Sequence, residues 1–303
     1  MQTAMTRREF VGTAVVGAAV AMTGTSVARG QGVGGSRYKI VAFSKAFQQL
    51  SFDDTADLVA EVGWDGIECP VRAKGQVEPG RVEEDLPKLV EAMKKRQREV
   101  GIITTDVKEV NPLNERVLRT AAKLGIRKYR LMHWQYKKDR SIAEQLGEMA
   151  AKFRDLAALN KELGIQGGYQ NHSGVDYMGA PVWDVFAVLK EFDPQFMAMH
   201  FDIGHATLEG GMSWTIQARL VQPMLGAVYV KDFYWEKGAN GWRSQWCPLG
   251  QGMIKRSFID ELKKSAFAGP ISQHHEYYEA GASREKMLPG FKKDLEVLRG
   301  WLA

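Results

Sequence analysis

The run Phe201-Asp202-Ile203-Gly204-His205-Ala206 sets a carboxylate and an imidazole three residues apart. Further along, Val230-Lys231-Asp232 supplies an ammonium, and His274-His275-Glu276 supplies a second carboxylate beside two imidazoles. Upstream lie Glu68 and the segment Tyr169-Gln170-Asn171-His172. Carboxylates and imidazoles take and give protons, and an ammonium stabilises the negative charge that proton removal creates. Each residue alone has an ordinary structural explanation: a carboxylate caps a helix, a histidine satisfies a buried partner, and Lys231-Asp232 forms an ion pair. What sets them apart jointly is that each falls near the end of a β-rich run.

Those runs define the elements that must position the groups. Strands are predicted over 38–43, 66–68, 101–107, 128–133, 166–172, 197–203, 225–232 and 270–276. Amphipathic helical runs alternate with them, over 54–62, 84–99, 112–124, 142–163, 182–191, from Trp214, 255–265 and 287–302. Regular alternation argues for a parallel sheet with crossover helices, and eight units argue for closure into an α/β fold of the (β/α)8 TIM-barrel type. Several helical runs end in Gly, at Gly63, Gly125 and Gly164, as helix C-termini favour. No Gly-x-Gly-x-x-Gly follows the first strand, which counts against a dinucleotide-binding fold.

In a barrel, side chains along a strand alternate between interior and helix layer, and chemistry sits at the C-terminal strand ends. Val228 and Val230 suit the helix layer, so Tyr229 and Lys231 point inward. Gly168, Gln170 and His172 share one parity, His200 and Asp202 another, His274 and Glu276 a third, with His205 in the loop just beyond its strand. Glu68 ends the second strand. Glu68, Gln170, His172, Asp202, His205, Lys231, His274 and Glu276 are therefore expected at one barrel mouth. After the seventh strand a long loop, 233–253, carries Phe233, Tyr234, Trp235, Trp242, Arg243 and Trp246. Its aromatic faces suit the C–H faces of sugar rings. An interface with a second copy of the chain is an equal reading, and the two can coexist.

Taken in order, Tyr169-Gln170-Asn171-His172, Phe201 to Ala206, Val230-Lys231-Asp232, Pro248-Leu249-Gly250-Gln251-Gly252 and His275-Glu276-Tyr277 resemble the landmarks of the xylose-isomerase-like barrels. That family includes sugar epimerases, hydroxypyruvate-isomerase-like enzymes and inosose dehydratases, and the likeness spans 38–300. It implies a divalent ion (Mn, Mg, Co or Zn) held by Glu, Asp, His and Glu on strands five to eight, the two glutamates also moving protons. Asp202 and Glu276 match that pattern. Gln170 stands at the strand-five Glu and Tyr229 at the strand-seven His. An amide is no base, and losing an anionic and an imidazole ligand weakens metal binding. The ion is still expected, on Asp202, Glu276 and the Gln170 carbonyl oxygen, with His172 or His205 compensating.

The resemblance makes Glu276 the base, with Lys231 and His205 stabilising an oxyanion or acting as acid. Glu68, His172, His274, Trp235, Trp242, Trp246 and Arg243 are the expected substrate contacts. The expected activity is isomerisation or epimerisation of a free sugar, keto-sugar or polyol. The alternatives are β-elimination by a dehydratase or lyase, and a non-catalytic carbohydrate-binding barrel. Apurinic endonucleases share the fold but need a three-metal cluster. Six histidines and a missing strand-five Glu speak against that use, so no nucleic-acid partner is expected.

The chain has 303 residues, 45% hydrophobic and 25% charged, with a net charge of +5 interleaved along helix faces. That suits one globular domain over 37–303 and gives no nucleic-acid signature. At the start, Arg7-Arg8 precede a weakly apolar run, and Ser26-Val27-Ala28 offers a cleavage site. Residues 1–28 resemble a twin-arginine export signal, with a Gly-rich linker at 29–36 and a periplasmic or secreted destination. The apolar run is shorter than the roughly 20 residues of a spanning helix, so no stable membrane span is expected in the mature form. Cys69 and Cys247 form no Cys-x-x-Cys and are expected as isolated thiols.

Overall fold

A computed structural model describes residues 37–279 and 281–303. The expected signal at 1–28 and linker at 29–36 lie outside the described residues. The described residues form one compact unit.

The elements run β1 (Ile40–Phe43), α1 (Phe52–Val62), β2 (Gly66–Val71), α2 (Val82–Lys95), β3 (Glu99–Thr105), α3 (Pro112–Lys123), β4 (Lys128–Arg130), α4 (Ile142–Leu163), β5 (Gln166–Gln170), α5 (Trp183–Leu189), β6 (Met197–Asp202), α6 (Ile203–Gly210), α7 (Trp214–Val221), β7 (Leu225–Val230), β8 (Asp232–Gly238), β9 (Gly241–Cys247), α8 (Ser257–Lys264), β10 (Ile271–Gln273) and α9 (Arg284–Leu302). Strands β1 to β7 and β10 pair in parallel and close a barrel in the order β1-β10-β7-β6-β5-β4-β3-β2. The expected (β/α)8 architecture is the one observed.

Local chemistry starts and stops the helices where the sequence suggests. Ser51 caps α1 by accepting from Asp54 N, and Gly63 ends it with φ at 97°. Ser141 caps α4 in the same way, and Gly164 ends it with φ at 64°. These left-handed positions cost glycine nothing and would strain any other residue.

Strand parity sorts the barrel into two layers. Ile67, Cys69, Met197, Met199, Phe201, Val228, Val230 and Ile271 pack in the large core between strands and helices. Val41, Ile102, Ala227 and Tyr229 form a small apolar plug inside the barrel. The space beside that plug is polar. His200 fills the gap left by Gly168, where a Cβ would lie 2.0 Å from the imidazole ring. Tyr229 and Lys231 carry the inward parity expected of them.

The elements depart from expectation in three places that matter for the site. Strand β2 runs on to Val71, so Glu68 lies mid-strand and fully buried rather than at a strand end. Helix α6 starts directly after Asp202, whose side chain caps it by accepting from His205 N at 3.0 Å. His205 therefore sits on the first turn of a helix and not in a loop. The segment expected as a long loop is the antiparallel hairpin β8–β9, paired from Asp232–Cys247 to Gly238–Gly241. Cys69 and Cys247 are both buried free thiols. Among the described residues no helix is long and apolar enough to cross a membrane.

Candidate active site

The polar interior begins at Glu68. Its carboxylate accepts from Thr104 Oγ1 at 2.5 Å and Ser272 Oγ at 2.6 Å, contacts His274 Nε2 at 3.1 Å, and pairs with Arg130 Nε at 3.4 Å. Burial opposes its ionisation, but Arg130 and the His274 hydrogen bond outweigh burial and hold its carboxyl well below the usual range. Arg130 also lies over the rings of Phe43 and Tyr229, at 4.8 and 5.5 Å. Glu68 and His274, expected as substrate contacts, are instead partners in this buried network, with nothing exposed for a ligand to touch.

Arg130 links the interior to the mouth. Its NH1 donates to Gln170 Oε1 at 2.5 Å, and Gln170 Nε2 donates to Asp202 Oδ2 at 2.7 Å. A guanidinium can only donate and a carboxylate can only accept, so these neighbours fix which way the Gln170 amide faces. Asn171 clamps the Asp202 backbone from both sides: it accepts from Asp202 N at 2.7 Å and donates to Asp202 O at 2.9 Å.

Lys231 is the hub of the mouth. Its Nζ donates to His205 Nε2 at 2.7 Å and lies 3.3 Å from Asp202 Oδ2 and 3.6 Å from Glu276 Oε1. The Trp246 ring covers it at 4.6 Å. Glu276 also faces Lys45 at 3.9 Å. Burial disfavours its charge, yet Lys231 above all, then Lys45, holds its carboxyl well below the ordinary range. With Nε2 accepting from Lys231, the His205 Nδ1–H is left to meet Ser173 Oγ at 2.7 Å. The His172 ring lies tilted against the His205 ring at 4.0 Å and stacks on Tyr177 at 4.8 Å. Burial and the Lys231 charge push both imidazoles below their ordinary pKa, so both are neutral at pH 7.

The hairpin supplies one wall. Its register sets Phe233, Trp235, Trp242 and Trp246 on one face, since side chains of paired residues share a face. Trp246 reaches the site. Trp235 and Trp242 continue the aromatic row outward, 43% and 66% exposed. Arg243 does not join them: it lies on the other face, paired with Glu236 at 2.5 Å. Asp232 anchors the hairpin. Its carboxylate accepts from the backbone N–H groups of Phe233, Gly250, Gly252 and Ile254 at 2.8 to 2.9 Å. The Lys-Asp and Pro-Leu-Gly-Gln-Gly motifs are thus two halves of one clamp.

The structure therefore brings together Gln170, His172, Asp202, His205, Lys231, Trp246 and Glu276. Sequence reasoning missed Arg130, His133 and Ser173. His133 Nε2 contacts Gln170 Oε1 at 3.3 Å, and its ring meets His172 at 4.4 Å. Arg130 had a signal, since Lys128 and Arg130 share the inward parity of β4.

The donors present do not fit the divalent ion expected. The Gln170 oxygen faces Arg130, so the amide turns N–H groups toward Asp202. The Tyr229 hydroxyl meets His200 Nδ1 at 2.7 Å. Among the described residues no group of three or more His, Cys, Asp or Glu side chains is arranged to hold a metal ion.

Known structures share this architecture. The chain is similar to the crystal structure of 3-keto-D-glucoside 4-epimerase from E. coli, at 14% identity and a TM-score of 0.66, over 87% of this chain and 99% of that one. It is similar to the probable 3-DHS dehydratase of Bacillus anthracis, at 16% identity and a TM-score of 0.63, over 86% and 98%. It is also similar to a xylose isomerase-like TIM barrel protein from Mycobacterium smegmatis solved in complex with magnesium, at 15% identity and a TM-score of 0.63, over 88% and 98%. At these identities the likeness is one of fold. No curated protein matches the chain in sequence. The family profile described as xylose isomerase-like TIM barrel matches residues 56–301, and with the closed barrel and the ordered mouth residues it follows that the chain belongs to the xylose isomerase-like TIM barrel family.

Proposed function

We propose that the barrel mouth removes a proton from the carbon next to the carbonyl of a free sugar or keto-sugar, as a sugar isomerase or epimerase does. One observation carries this reading. Of the three carboxylates in the network, Glu68 and Asp202 are wholly buried, whereas Glu276 is 21% exposed and faces the Lys231 ammonium. A carboxylate open to ligand beside a fixed cation is the arrangement that enolisation requires.

In the step, Glu276 takes the proton from carbon, and the C–H electron pair becomes the new C=C bond of an enediolate. The carbonyl π pair moves to oxygen, where Lys231 faces the developing charge. Negative charge thus passes from the carboxylate to the oxyanion around one ammonium. Glu276 then returns the proton to the neighbouring carbon while the proton of the neighbouring hydroxyl passes to the former carbonyl oxygen, so that the hydroxyl becomes the new carbonyl and aldose and ketose interconvert. Loss of a β-hydroxyl from the same intermediate, protonated as it leaves, gives the elimination reaction. Gln170 in place of a second glutamate supports these one-base outcomes over a two-base epimerisation, because an amide cannot carry the proton on the opposite face.

The aromatic row of the hairpin supports a carbohydrate ligand, its tryptophans offering flat apolar faces outward from Glu276. The 3-keto-glucoside ligand class named for the E. coli epimerase is the first to try. The paired arginines at 7 and 8 support export of the folded protein. Arg7→Lys with Arg8→Lys should leave the protein in the cytoplasm on fractionation, and unchanged delivery would remove that reading.

The test of the reaction is solvent exchange. Incubation in deuterium oxide with ketoses, aldoses and 3-keto-glucosides should incorporate deuterium next to the carbonyl of one class, followed by NMR. Absence of exchange and of turnover across the panel, with binding intact, would favour the non-catalytic barrel.

A further inference from the structure

We propose that the Lys231 ammonium stands where the family's divalent ion would stand, so that this barrel works with a built-in cation and no bound metal. The proposal deepens the reading of the same mouth, and its test needs no turnover.

The argument begins with Asp202. Both its oxygens already accept: Oδ1 from His205 N at 3.0 Å, and Oδ2 from Gln170 Nε2 at 2.7 Å with Lys231 Nζ at 3.3 Å. Each oxygen of that carboxylate is thus already engaged by a nitrogen of the protein. Asp202, Glu276 and His205 are ligands by chemistry, and Lys231 Nζ contacts all three. It is the shared neighbour of the anionic and imidazole donors, as a coordinated ion would be. The Trp246 ring lies against it at 4.6 Å.

Two substitutions at the motif positions follow the same logic. A glutamate at 170 would set another carboxylate directly against Asp202, beside the Glu276 that Lys231 already faces. The glutamine instead donates to Asp202 and is locked in that orientation by Arg130. A histidine at 229 would bring a metal-seeking nitrogen inward, whereas the Tyr229 hydroxyl pairs with His200 inside the barrel. A divalent cation entering here would meet Lys231 and Arg130, two like charges that the protein has already fixed. The chemistry left to the ammonium is electrostatic stabilisation of the enediolate, without a Lewis acid.

The experiment uses the full chain and the metal salts alone. After dialysis against chelator, the protein is analysed for metal content and its melting temperature is followed with millimolar Mn²⁺, Mg²⁺, Co²⁺ and Zn²⁺. A ligand well above its dissociation constant raises the melting temperature of the state that binds it. The wild type should hold far less than one equivalent of metal and show no shift. Lys231→Met, which frees Asp202, Glu276 and His205, should gain a Mn²⁺-dependent rise of several degrees. One tightly held equivalent in the wild type, or a wild-type rise with any of the ions, overturns the proposal. So does a folded Lys231→Met protein as indifferent to Mn²⁺ as the wild type. If that variant fails to fold, the wild-type measurements decide alone.

Discussion

Lys231 Nζ stands 3.6 Å from Glu276 Oε1, and that carboxylate is the most exposed of those in the mouth network. The pair fixes a charged base at neutral pH against the cost of burying it. Glu276→Gln preserves size and hydrogen bonding and removes basicity. It should lower the rate of proton exchange by about 10²–10⁴, the usual range for loss of a general base, while the melting temperature stays near wild type. Deuterium incorporation and thermal unfolding measure the two effects separately. Near-full activity in this variant would pass the role of base to Lys231 or His172.

Arg130 and Glu68 make a second, purely structural pair inside the barrel, both almost fully buried. Removing one partner leaves an uncompensated charge, which typically costs about 3–5 kcal/mol. Arg130→Met should therefore destabilise strongly. Arg130→Met combined with Glu68→Gln should recover most of the loss, because no unpaired charge remains. A double-mutant cycle by chemical denaturation checks this, and additive losses would mean that the pair is not coupled.

All six histidines are pushed below their ordinary value of 6.5, with burial the largest cause at each. His200 and His275 are pulled down to about 3. The unfolded chain binds these protons as pH falls through 6.5, and the folded chain does not. Stability is thus full above 6.5 and declines below it, by on the order of 1 kcal/mol per pH unit for each such group. Asp294 acts in the opposite sense, since burial raises it to about 6 and it favours folding as pH falls past that value. One carboxyl does not offset this many imidazoles. The melting temperature should fall between pH 7 and 5, and His275→Phe, packed against Trp64 and Phe291, should flatten that fall.

The hairpin residues should separate by their distance from Lys231. Trp246 covers the ammonium and meets His205 edge-on at 5.5 Å, so Trp246→Ala should reduce kcat. A desolvated cation–π contact of about 2 kcal/mol corresponds to roughly a 30-fold effect. Trp242→Ala should raise KM with kcat and stability nearly unchanged. Arg243→Ala should change neither, since Arg243 pairs with Glu236 on the other face. Steady-state kinetics on an established substrate distinguishes these outcomes.

The barrel was legible in the sequence because its signals are local. Alternation in Val228-Tyr229-Val230-Lys231 states which side chain faces in, and Gly63 and Gly164 mark where helices stop. The departures arise where a local signal was weak or the cause was distant. Asp-Ile-Gly-His reads as a strand end because its glycine hides a helix start, and only the Asp202 cap reveals α6. The hairpin carried an Asn240-Gly241 turn signal that the length of the segment obscured. Glu68 looked like a mouth residue because the apolar face of β2 ends beyond it. Its true partners, Arg130 on β4, Ser272 on β10 and His274 just after it, are far away in sequence, and no pattern within one strand announces them.

Asp232 and Cys247 face each other across the base of the hairpin, and the Asp232 carboxylate holds the chain where it returns at Gly250, Gly252 and Ile254. The appendage leaves and rejoins the barrel at one spot. Its outer part can therefore be exchanged for a hairpin of different length or composition without moving β7, Lys231 or Glu276. Chimeras that swap 234–245 between such barrels should keep their fold and their proton chemistry while changing the molecules they accept. Diversification within such a lineage would then run through the cap, with the catalytic floor inherited intact.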